Sequence, residues 1–188
     1  MRRRGILIIL ILLGCFTVIE IKASRSLGIT LLEAYNIGLE EAKKWDANAN
    51  LTLITSVGDT GITPPSTFGN DGTREVWNLL FANRLRNQTL IINIKKGKVA
   101  IKQTANENIP EFKTILQNEL ILDSTEMVKI AIINGVESGE GWSEGYHFTV
   151  FRDPNALFFG VIGQNKNGKI TKLYTDKTGK IIGSEMKE

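Results

Sequence analysis

The chain has one histidine, His147 in GYHFT, and one cysteine, Cys15. A histidine is the usual proton carrier of a hydrolase near neutral pH, and a cysteine is a nucleophile or a metal ligand. Either chemistry needs partners at a defined spacing. A single histidine rules out an H-E-x-x-H zinc site, and no G-x-x-x-x-G-K-[ST] phosphate loop or convincing dinucleotide fingerprint is present. A serine–histidine or cysteine–histidine relay would need His147 and a nucleophile that no motif announces. His147 is therefore expected as an exposed strand residue. The oxygen-rich stretch GDTGITPPSTFGNDGT, residues 58–73, holds Asp59, Asn70 and Asp71, but not at EF-hand spacing. With four glycines and two prolines it has the composition of a long, partner-facing loop.

A second candidate for chemistry is LYTDKTGKIIG, residues 173–183, which holds an acid, hydroxyls, a lysine and glycines in close order. Its spacing suits a turn better than a reaction. Asp176 can accept from the backbone just ahead, and Gly179 can take the positive φ of a three-residue hairpin with a bulge. The expectation is a protein that is not an enzyme, with no catalytic residue, cofactor or metal. The aromatic residues Trp45, Trp77, Trp142 and Tyr146 leave two readings open. They follow two helix-like segments at equivalent places, which favours packing. Alternatively, Trp77, Trp142 or Tyr146 would contact a ligand or partner in a pocket.

The elements that must position these residues come in two runs. ITLLEAYNIGLEEAKKW, residues 29–45, opens with Thr30 and Glu33 at capping-box spacing, and LDSTEMVKIAIINGV, residues 122–136, repeats the interval with Asp123 and Glu126. Four strand-like stretches follow each helix: 51–55, 75–84, 89–95 and 98–103, then 145–153, 156–164, 169–176 and 180–186. Lys96-Gly97 and Asn167-Gly168 mark tight hairpins between neighbours.

The amino terminus is an address. MRRRGILIILILLGCFTVIEIKAS sets three arginines before an apolar run from Ile6 to Ile19. Such a segment is an export signal or membrane anchor, with the charges held on the cytoplasmic side. Three fates fit residues 1–23. Leu12-Leu13-Gly14-Cys15 resembles a bacterial lipobox, in which Cys15 would be lipidated. Cleavage after Ala23 would release a secreted form. An uncleaved anchor would span the bilayer near the short limit. All three place residues 24–188 outside the cytoplasm. Removing Arg2, Arg3 and Arg4 leaves 20 basic against 20 acidic residues, so no phosphate-binding field is expected and no nucleic-acid partner.

The stretch LDSTEMVKIAIINGV…GYHFTVF…ALFFGVIGQNKNGKITKLYTDKTGKIIG, residues 121–183, resembles a PepSY domain, and residues 29–102 resemble a diverged second copy. The resemblance implies an α+β fold of two repeats, each one helix packed on an antiparallel sheet in the PepSY or cystatin-like manner. The implied organisation is a signal or anchor (1–23), a first repeat (27–104), a linker (105–120) and a second repeat (121–188). It also implies a function: a non-enzymatic extracytoplasmic module that regulates or inhibits a secreted or cell-surface peptidase, or binds another envelope protein. The alternative is a protein that binds a small ligand or a cell-envelope polymer.

Overall fold

The computed structural model describes residues 28–58, 67–107, 109–140 and 144–187. Helix α1 (Leu31–Trp45) begins where the sequence indicates. Thr30 Oγ1 accepts from Glu33 N at 3.3 Å, and Glu33 Oε2 accepts from Thr30 N at 2.8 Å, closing a capping box. The buried stripe is Leu31, Ala34, Tyr35, Gly38 and Ala42. Gly38 is needed for close approach: a Cβ there would stand 2.7 Å from Leu79 Cδ2. Helix α2 (Ser124–Ile133) is capped by Asp123, but its box does not close, because Glu126 accepts from its neighbour Thr125 instead.

Eight strands follow in two runs: β1 (Asn50–Val57), β2 (Val76–Asn83), β3 (Gln88–Lys95) and β4 (Lys98–Asn106), then β5 (His147–Arg152), β6 (Leu157–Gln164), β7 (Ile170–Thr175) and β8 (Ile181–Met186). They form one antiparallel sheet in the order β4-β3-β2-β1-β5-β6-β7-β8. This corrects the expected fold. Among the described residues there are not two repeats, each a helix on its own sheet, but one eight-stranded sheet with two α-helices. The reason is the β1–β5 seam, where Leu53, Ile54 and Thr55 pair with Phe151, Val150 and Thr149. Each of those strands would otherwise present an open edge, so pairing them satisfies both sets of backbone groups at once.

One core cluster runs across the seam. It joins Leu31, Ala34 and Tyr35 of α1 and Met127, Val128 and Ala131 of α2 to Ile54, Trp77, Leu79, Phe81, Phe148, Val150, Phe159 and Val161. The strand members share one face of the sheet by alternation. The opposite face carries a register row of Ile91, Leu80, Leu53, Phe151 and Phe158 across five strands. These five are partly buried, and Phe151 stacks on Phe158 at 5.2 Å with Tyr174 edge-on to both. In the connection to α2, Ile115 is fully buried and donates its N–H to Leu51 O at 2.8 Å. Among the described residues no helix is long and apolar enough to cross a membrane. The basic-headed segment 1–23 lies outside the described residues.

Candidate functional site

The residues singled out by type come to different fates. His147 is half-buried at the start of β5, not exposed as expected. Burial, and then the Arg74 guanidinium, push its pKa down to about 4, against smaller opposing contributions from the backbone of Ser56 and Glu144. Arg74 is itself buried, with Nη1 donating to the carbonyls of Thr67 and Glu144 at 3.2 and 3.3 Å. His147 thus has a cation as its charged neighbour. A general base that must become charged is poorly served there. Among the described residues no group of three or more His, Cys, Asp or Glu could hold a metal ion.

Trp77 and Tyr146 lie buried in the core. The Trp77 side chain has no exposure, its Nε1 donates to the carbonyls of Ile29 and Arg74 at 3.1 Å each, and its ring stacks on Phe148 at 6.2 Å. Tyr146 is buried and donates its hydroxyl to Val136 O at 3.1 Å. Trp142, Cys15 and the loop residues 59–66 lie outside the described residues.

Asp176 is committed to the β7–β8 turn. Its Oδ1 accepts from Thr178 N, Thr178 Oγ1 and Lys180 N at 2.8, 2.7 and 3.1 Å, and Gly179 takes φ 84°. These hydrogen bonds, led by the Thr178 hydroxyl, hold the Asp176 carboxyl below its usual range. The turn closes as its spacing requires. Lys96-Gly97 likewise forms a tight hairpin, with φ 52° and 71°.

Two surfaces remain that no motif marked. The first is an open cleft of about 390 Å³ at one end of the sheet, lined by Arg84, Glu111, Phe112, Leu116, Glu119 and Arg152 among others. Arg84 pairs with Glu111 at 2.9 Å and Arg152 with Glu119 at 2.6 Å. Glu119 also accepts from Leu116 N at 2.9 Å, so one carboxylate holds both a wall of the cleft and its arginine. Burial opposes ionisation of Glu119, but the Leu116 N–H and Arg152 outweigh it and lower its pKa. Phe112 and Leu116 are exposed beside these pairs.

The second surface is the β8 edge. Lys187 N donates to Ile170 O at 3.0 Å, so alternation along an antiparallel pair turns the N–H groups of Ser184 and Met186 away from β7. Ile181, Ile182 and Met186 are exposed along this edge. The other edge, β4, carries Lys98 and Lys102 and a bulge opposite Asn93 and Ile94; the β7–β8 pair has its own bulge between Tyr174 and Thr175, so the lysines are what set β4 apart. Lysines and bulges are devices that blunt an edge. No sequence signal located either surface, because an edge is defined by what does not pair with it.

No protein-family model matches the chain, and no curated protein matches it. Among solved structures, the chain is similar to a crystal structure described as a "putative lipoprotein" from Clostridium difficile, with a TM-score of 0.60 and 13% sequence identity. The similarity covers 81% of this chain and 92% of that one, and at this identity it shows a shared fold.

Proposed function

We propose that the chain is a membrane-tethered extracytoplasmic binding protein that works without an active site. It takes an extended segment of a protein partner, a secreted or surface peptidase or another envelope protein, as an added strand on β8. The observation that carries this reading is the β8 edge, with outward N–H groups at Ser184 and Met186 beside exposed Ile182 and Met186. Main-chain hydrogen bonds give such a contact its affinity, and alternate side chains give it selectivity. The tether rests on the basic-headed apolar segment with Cys15. It is supported by the solved putative lipoprotein of the same fold. The PepSY resemblance of residues 121–183 favours a peptidase as the partner.

A second reading has its own observation. The cleft between Arg84 and Arg152 would hold a small ligand or an envelope-polymer segment, with Phe112 and Leu116 as apolar contacts. This moves the ligand reading away from Trp77 and Tyr146, which are buried.

The deciding experiment mixes the full chain with the secreted peptidases of its host and follows complex formation and proteolysis. The strand reading expects a complex that Ser184→Pro abolishes, because proline removes an outward donor and is tolerated on an edge. The cleft reading expects Arg84→Glu to act instead. No complex and no change in proteolysis would remove the regulator reading.

A further inference from the structure

Among the described residues β8 is paired on one side only, by β7. The β7–β8 bulge lies before Gly183, and from Gly183 to Met186 the register is regular. Lys187 N donates inward to Ile170 O, so the main-chain groups of Ser184 and Met186 point outward. Ser184 is the middle residue of the stretch from Ile181 to Lys187. A second copy of this stretch, laid antiparallel along the edge, must set outward residues against outward residues. A register centred on Glu185 puts Glu185 against itself, and like charges opposite each other destabilise a sheet. One centred on Gly183 puts the apolar Met186 against Lys180. The register centred on Ser184 has neither fault. It sets Ser184 against Ser184, Glu185 against Gly183, and Met186 against Ile182 at both ends. Ile182 is 40% and Met186 66% exposed, so this register covers both of them twice. The Glu185 carboxylate is already held by Lys172 Nζ at 3.2 Å. Outside Arg2, Arg3 and Arg4 the chain has 20 basic and 20 acidic residues, so two copies meet without net repulsion.

We propose that two copies of this chain pair through β8, antiparallel about a two-fold axis at Ser184, so that their sheets become continuous. The contact is isologous, the same patch serving on both sides. Ser184 of each copy donates its N–H to Ser184 of the other and accepts in return, and Met186 of each lies on Ile182 of the other. The pairing uses only residues 181–187. It also regulates the edge: a partner strand and a second copy compete for the same outward groups, so the partner binds the separated chain. This competition, unlike the pairing, rests on the strand reading given above.

The test places single cysteines in the full chain, in detergent, under mild copper-catalysed oxidation. Peptide mass spectrometry locates each bridge and separates it from any through Cys15. Residues opposed in a hydrogen-bonded pair have Cα atoms ~5.5 Å apart, within disulfide reach. Ser184→Cys should therefore form a 184–184 bridge. Ile182→Cys and Met186→Cys should each form no bridge to themselves, while an equal mixture of the two should form a 182–186 bridge. Sedimentation of the unaltered chain should show a dimer whose dissociation constant rises at least about tenfold in Ser184→Pro and in Met186→Lys. A monomer throughout, or a dimer indifferent to both variants with no 184–184 bridge, overturns the pairing and leaves the strand reading to its own binding experiment. A bridged Ser184→Cys dimer that binds the host's secreted peptidases as tightly as the reduced chain does overturns the competition alone. Bridging as expected, with no peptidase complex from either form, removes the strand reading and the competition with it and upholds the pairing.

Discussion

Ser124 Oγ accepts the backbone N–H of Leu31 at 2.9 Å, across 93 residues of sequence. Its neighbour Asp123 accepts from Leu32 N at 3.0 Å and from Ser124 N at 2.8 Å. The residues that start α2 thus also satisfy the first two orphan donors of α1. The helix N-termini are joined by this shared cap, which adds a polar tie to the β1–β5 seam. Ser124 is fully buried, so Ser124→Ala strands the Leu31 N–H away from water. The expected loss is about 1–3 kcal/mol, read from urea unfolding at pH 7. A loss below a few tenths would mean that the two N-termini are not coupled as described.

His147 makes stability depend on pH. Its folded pKa of about 4 lies below the ordinary value of 6.5. Above 6.5 both folded and unfolded states hold it neutral and nothing is lost. As pH falls from 6.5 towards 4 the unfolded state takes up the proton first, so stability declines across that window by on the order of a few kcal/mol. His147→Gln should flatten this part of the profile and leave stability at pH 7.5 nearly unchanged. An imidazole that titrates near 6.5 by NMR in the folded chain would contradict the burial against Arg74.

The Glu119–Arg152 pair should titrate in the opposite sense. The folded pKa of Glu119 is lowered, so its contribution is present above the unfolded value and fades as pH falls through the folded one. Both side chains are about one fifth to one quarter exposed, which tempers the effect. Glu119→Gln should cost about 1 kcal/mol at pH 7 and progressively less in acid. Equal destabilisation at pH 7 and pH 3 would show that the pair acts by packing alone.

Gly72 couples the connection between β1 and β2 to the start of α2. It has φ 83°, and a Cβ there would stand 2.5 Å from Thr125 N. Gly72→Ala meets both a left-handed backbone and another segment's main chain. Its cost should exceed the ~1 kcal/mol of the backbone penalty alone. Thermal unfolding checks it, and a variant that melts within a degree of the parent would refute the contact.

Much of the fold was legible in the residues, element by element. Thr30 and Glu33 fix the start of α1, and Gly97 and Gly179 fix two turns, because each works through partners only a few positions away. The strand-like runs expected from the residues overlap the eight described strands. The candidate binding surfaces were not legible. Arg84 meets Glu111 across 27 positions, and Arg152 meets Glu119 across 33. For Trp77 and Tyr146 the sequence favoured packing but left ligand contact open, because composition cannot tell a buried aromatic from a presented one.

By itself the sequence determined the local units: the starts of the two described α-helices and the strand-like runs of the eight described strands, with a basic-headed apolar stretch ahead of them. Those depend on near-neighbour geometry and on charge order along the chain. Only the tertiary structure decided that β1 and β5 join the strands into one sheet, that β8 is an edge strand among the described residues, and that the Arg74 guanidinium comes near enough to His147 to lower its pKa. Pairing of that kind depends on which backbone edges lack another partner, and on charges brought together from 73 positions apart, from Arg74 to His147. No single stretch of residues carries that information.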